Sequence, residues 1–93
     1  MDEAVGMANM NQLNNIGYQM LNAKDYKRAI KYFKMNVDNN PKNANVHDSL
    51  GEAYKTMGDK KNTIKSLKKA LLLNPPANVK ANSEKLLREL GAL

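Results

Sequence analysis

Apolar side chains along this chain recur at three- and four-residue steps, broken by short polar stretches. Leu13, Ile16, Gly17, Met20 and Leu21 make one such set, and Tyr26, Ala29, Ile30, Phe33 and Val37 make another after Asn22-Ala23-Lys24-Asp25. That spacing keeps each set on one face of a helix, so it predicts two amphipathic helices. Asp25 is placed to cap the second by accepting from its first free backbone donors. In the equivalent break further on, Met57-Gly58-Asp59, Gly58 can take the left-handed conformation that ends a helix. Both breaks are short, which requires each helix pair to fold antiparallel. Asn40-Pro41 and Asn74-Pro75-Pro76 end the second helices, because proline lacks a backbone donor and disfavours helical geometry in the residue before it. Val79, Ser83, Leu86, Leu87 and Leu90 mark one face of a fifth helix, with Lys80, Lys85, Arg88 and Glu89 left to water.

The pattern repeats. Sliding residues 10–43 onto 44–77, a shift of 34, leaves identical pairs at Asn11/Asn45, Gly17/Gly51, Asp25/Asp59, Lys27/Lys61, Ile30/Ile64, Lys31/Lys65, Lys34/Lys68, Asn40/Asn74 and Pro41/Pro75. A helical hairpin recurring at this period is a unit that buries its apolar face against its neighbours. The chain divides into a first unit at 10–43, a second at 44–77 and a covering helix at 78–91, with residues 1–8 read as a frayed leader or linker. After the second joint, Asn74-Pro75-Pro76, the 34-residue phase is expected to lapse.

Gly17 and Gly51 sit mid-helix, where glycine costs about 1 kcal/mol relative to alanine, and are expected where a neighbouring helix approaches closely. Ala29 is the small residue expected opposite the first. Its counterpart Thr63 is larger, and predicts either looser packing or a hydroxyl bonded back to its own helix. Asn36 falls where units meet. A buried amide there needs partners, and Asp48 or Ser49 of the following unit are the nearest candidates.

Leu50-Gly51-Glu52-Ala53-Tyr54, Gly58-Asp59, Ala70-Leu71 and Asn74-Pro75 resemble a tetratricopeptide repeat, and Ile16-Gly17-Tyr18, Asp25-Tyr26, Ala29-Ile30, Phe33 and Asn40-Pro41 resemble it nearly as well. The resemblance implies an all-α fold: a right-handed superhelical stack of antiparallel helix pairs, two units plus a capping helix, five helices in all. Asn36, His47 and Thr63 depart from the family pattern without threatening that fold. The run 43–54 further resembles repeat pairs attached to bacterial hydrolases, which would make this chain the accessory tail of a larger protein.

The resemblance also implies that the first helix of each pair lines a concave groove for peptides or segments of other proteins. Carried over residue by residue, the groove positions are Asn11, Asn14, Asn15, Tyr18 and Asn22 from the first unit, and Asn45, Asp48, Ser49, Glu52 and Lys55 from the second. Asparagine offers donors and an acceptor and suits an extended backbone. Relatives that grip a terminal carboxylate use groove cations, but here the matching positions hold Asn14, Tyr18 and Ser49, with Val79 and Ser83 on the fifth helix. Chaperone tails are therefore not the expected ligand.

Composition narrows the function further. Fifteen Lys and Arg against nine Asp and Glu leave a formal charge of +6. Lys27, Lys31 and Lys34 form a stripe that Lys61, Lys65 and Lys68 repeat, and Arg28 and Lys69 extend it. Such a band could follow a phosphate backbone or an acidic surface. No aromatic side chain interleaves to stack on bases, so nucleic acid is the weaker alternative and a solubilising outer face the plainer one. The absence of cysteine rules out disulfides and thiolate chemistry. His47-Asp48-Ser49 holds the residue types of a hydrolytic triad, but helix neighbours point about 100 degrees apart and cannot form one relay. A lone histidine makes no metal site. No catalytic, cofactor or metal residues are expected, and the leading function is a non-enzymatic adaptor, a scaffold that binds a protein partner. Two units are fewer than such arrays usually need, so the first helix is expected to gain cover by self-association through Met7 and Met10 or by attachment to a larger chain. No apolar stretch could span a bilayer and Met1-Asp2-Glu3 is unlike a signal peptide, so the chain as written is expected in the cytoplasm.

Overall fold

The computed structural model describes residues 8–93. The expectations of a loose leader and of contacts through Met7 fall on residues 1–7, outside the described residues. Five helices follow in order: α1 (Met10–Asn22), α2 (Tyr26–Asn39), α3 (Ala44–Met57), α4 (Lys60–Leu72) and α5 (Ala77–Glu89), with no strand among the described residues. α1 packs on α2 and α3 on α4 as hairpins, α2 packs on α3 and α4 on α5, and α1, α3 and α5 meet as successive inner helices. The result is an all-helical stack of antiparallel pairs.

Local chemistry sets the boundaries. Asn9 opens α1 with a capping box, its side chain accepting from the Gln12 N–H while Gln12 Oε1 accepts from the Asn9 N–H, both at 2.9 Å. Asp25 and Asp59 cap α2 and α4 by accepting from the N–H groups of Arg28 and Asn62. The turns inside the two hairpins close identically. Lys24 and Gly58 donate to Leu21 and Lys55, and Asp25 and Asp59 donate to Met20 and Tyr54, so orphan carbonyls at each helix end are satisfied. The shared position is left-handed in both, with φ of 62° at Lys24 and 90° at Gly58.

Gly17 and Gly51 are close-approach sites, but the partner is not the small residue expected. A Cβ on Gly17 would lie 2.7 Å from the Phe33 ring, and one on Gly51 would lie 2.7 Å from Leu67 Cδ2. Both glycines thus seat a large side chain on the paired helix, four residues beyond Ala29 and Thr63. The Phe33 ring also meets Tyr18 edge to face, with centroids 5.0 Å apart. Thr63 is fully buried and its hydroxyl donates to the Asp59 carbonyl at 2.7 Å, one turn back on its own helix.

Asn36 is buried as expected, but its partner is different. Its Nδ2 donates to the Met10 carbonyl at 3.0 Å, and Asn40 Nδ2 donates to its Oδ1 at 3.1 Å. An antiparallel hairpin brings the start of α1 beside the end of α2, so the amide ties its own unit together rather than reaching Asp48 or Ser49.

Candidate functional site

The polar side chains between the inner helices meet at offsets of one repeat. Tyr18 on α1 donates its hydroxyl to Glu52 Oε2 on α3 at 2.7 Å, 34 residues on, and lies 3.5 Å from Ser49 Oγ. Asn82 Nδ2 on α5 donates to both oxygens of Asp48 at 3.1 and 2.9 Å, again across 34 positions, and Ser83 Oγ donates to Asp48 Oδ1 at 2.6 Å. Lys55 Nζ pairs with Glu89 Oε2 at 2.9 Å, also 34 residues apart. Equivalent positions on successive inner helices are therefore neighbours, and the register continues into α5, where Ser49/Ser83 is an identical pair at the same offset. The phase expected to lapse there is kept in space.

These contacts set the electrostatics of the seam. Burial pushes the Asp48 carboxyl above its usual range, against the Ser83 and Asn82 hydrogen bonds that favour its charged form. Burial also raises Glu52; the Tyr18 hydrogen bond and Lys55 oppose that shift and the nearby Asp48 charge adds to it. The Tyr18 hydroxyl is raised too, first by its burial and then by the Glu52 carboxylate it faces. Glu89 lies in the open and is held low by Lys55. The centre of the seam thus holds two crowded carboxylates, and the nearby cation Lys55 is already engaged.

Of the groove residues expected from the sequence, Tyr18, Asp48, Ser49, Glu52 and Lys55 belong to this seam. Asn14 is half-buried, and its Oδ1 is buried without a hydrogen-bond partner among the described residues. Asn45 is half-buried, while Asn11, Asn15 and Asn22 are exposed. Asn82 and Glu89 were missed. Continuing the 34-residue offset past position 77 would have placed them opposite Asp48 and Lys55.

His47, Asp48 and Ser49 do not converge. His47 Nε2 lies 2.9 Å from the Pro41 carbonyl, which can only accept, so that nitrogen carries the hydrogen. Asp48 turns to α5 and Ser49 faces Tyr18. Among the described residues, no three acidic or histidine side chains gather as metal ligands would. No helix among them is long and apolar enough to cross a membrane.

Comparison with known proteins agrees with this geometry. The tetratricopeptide repeat model matches residues 44–76. The chain is 34% identical over 61 residues to Superkiller protein 3 of Schizosaccharomyces pombe, covering 66% of this chain and 4% of that protein. It is 32% identical over 62 residues to Protein O-mannosyl-transferase TMTC3 of Homo sapiens, covering 67% of this chain and 7% of that one. The chain therefore spans only a small part of the length of these relatives. Residues 44–76, the second hairpin, thus match the tetratricopeptide repeat, and the five helices, stacked as hairpins with inner helices in register at 34 residues, fit the fold of that family.

Proposed function

We propose that this chain is a protein-interaction module that binds an extended segment of a partner along the inner face of α1, α3 and α5. Tetratricopeptide repeats generally mediate protein–protein interaction, and the observation that favours this face is the in-register polar seam that Tyr18, Asp48, Glu52 and Lys55 build along it. Asp48 and Glu52 at the centre repel a chain-terminal carboxylate. They favour a segment that brings amide donors or a cationic side chain.

The test is selection of peptides from a displayed library on the full chain, followed by titration of the selected peptides. Replacing Asn14→Ala, Tyr18→Phe and Glu52→Ala together should weaken binding about tenfold or more, since it removes polar contacts at the centre of the face while keeping the aromatic ring that packs on Phe33. Equal affinity for the triple variant and the parent chain would place binding elsewhere.

A further inference from the structure

The face opposite the seam carries a second feature. α2 and α4 splay apart over α3 and leave an open cleft of about 790 Å³, within the range of about 300–1,000 Å³ typical of ligand sites. Its apolar lining comes from all three helices: Leu50 and Tyr54 of α3, Val37 of α2 and Leu72 of α4. Leu72 is 80% exposed and lines this hollow, which leaves its side chain free to contact a ligand there.

The rim is basic. Lys34 comes from α2, and Lys65, Lys68 and Lys69 come from α4. Asp38 is the acidic residue lining the cleft, and the remaining polar lining is His47, Asn62 and Ser66. The 34-residue repeat accounts for part of this rim: Lys68 is the repeat copy of Lys34, and Lys65 and Lys69 add to it from α4.

We infer that this outer cleft is a second docking site, separate from the inner face, for an acidic amphipathic protein segment that buries one or two aliphatic or aromatic side chains between α2 and α4. Charge complementarity selects the acidic character, since four lysines face one carboxylate. The apolar lining selects protein over nucleic acid. A nucleic acid would gain from exposed rings on which bases stack, but Tyr54 is only 7% exposed and the other apolar lining residues are aliphatic. An acidic helix with apolar residues three and four positions apart matches both the hollow and its rim.

The experiment uses a fluorescently labelled, acetylated helical peptide with leucine and phenylalanine on one face and aspartate and glutamate elsewhere. Its controls are the same peptide with glutamine for every acid, the same peptide with alanine for every apolar residue, and labelled poly(U). The acidic amphipathic peptide should bind, and both altered peptides should bind about tenfold more weakly. Lys65→Glu with Lys69→Glu should weaken it about tenfold. Leu72→Ser, at a position too exposed to hold the fold, should weaken it several-fold without changing how binding depends on salt. The triple variant of the inner face should bind this peptide as the parent does, so failure of one site is distinguishable from failure of the other. No binding of the peptide, binding indifferent to Leu72→Ser, or tighter binding of poly(U) than of the peptide would each overturn the inference.

Discussion

The two hairpins carry the same framework and bury very different amounts of it. In α1 the buried residues are Leu13 and Gly17, whereas in α3 burial extends through Ala44, Val46, His47, Asp48, Ser49, Leu50, Gly51, Ala53 and Tyr54. Position in the stack explains the contrast: α3 packs against α1, α2, α4 and α5, whereas α1 packs against α2 and α3. A repeat's sequence supplies the hairpin, and its neighbours determine how far the hairpin is covered. The same asymmetry appears in chemistry. Asn14 and Tyr18 stand where α3 has Asp48 and Glu52, so the carboxylates fall on the more enclosed copy, and there α5 supplies the hydrogen bonds to Asp48.

The largest expected effect comes from the residue that fills the first hairpin. Phe33→Ala removes a fully buried ring that covers Gly17 and meets Tyr18, and should cost about 3–5 kcal/mol in urea unfolding, most of the stability of a domain this small. Leu67→Ala at the equivalent seat on Gly51 should cost about 2–4 kcal/mol. Should Phe33→Ala prove mild, the hairpins are not held by their glycine seats.

The glycines themselves sharpen the contrast. Gly17→Ala sets a methyl against three ring atoms of Phe33, and the overpacking outweighs the helix propensity gained, for a net loss of about 1–2 kcal/mol. Gly51→Ala meets Leu67 Cδ2 at 2.7 Å and Cγ at 2.9 Å, two atoms of a branched chain rather than three of a rigid ring, and should cost less. Equal losses in the two variants, measured by thermal melting, would remove this distinction between the copies.

A smaller effect separates the two turns. Lys24 holds the left-handed conformation that Gly58 holds in the second hairpin, and a side chain there is strained. Lys24→Gly should stabilise the chain by about 1 kcal/mol and Gly58→Lys should destabilise it by a similar amount. Opposite signs in denaturant midpoints confirm equivalence of the turns. A loss from Lys24→Gly contradicts it.

The smallest effect is that of pH. Burial raises Asp48 and Glu52, so the folded chain takes up protons before the unfolded chain does, and stability increases as pH falls from neutral into the window just above the ordinary carboxylate range. Asp59 and Glu89 are lowered, and the stability they contribute above that range is lost as pH falls through their folded values. The stability profile should therefore rise on mild acidification before it falls, and Glu52→Gln should flatten the rise. A steady decline from neutral pH in the parent chain would show that the seam carboxylates are not confined.

Much of this was legible in the chain itself. Helical spacing located the hairpins, the aspartates at 25 and 59 announced caps, and mid-helix glycine signalled close approach. The fold hid other features because they depend on pairing. Asn36 bonds to the Met10 carbonyl, a backbone atom with no signature in sequence, although the antiparallel hairpin alone brings those ends together. The roles of Asn82 and Glu89 were hidden because α5 keeps the spatial register while Ser49/Ser83 alone keeps the residue type at the 34-residue offset. The outer cleft was visible only in part: the lysine stripes were plain, but which of their members gather around Leu50 and Tyr54 depends on how α2 and α4 pack on α3.

Native-state amide hydrogen exchange, residue by residue, is the most direct measurement of the claim that stack position rather than copy sequence sets burial. Amides of α3 should exchange only through global unfolding, while those of α1 and α5 open earlier and at lower free energy. Protection in α1 equal to that in α3 would contradict the account.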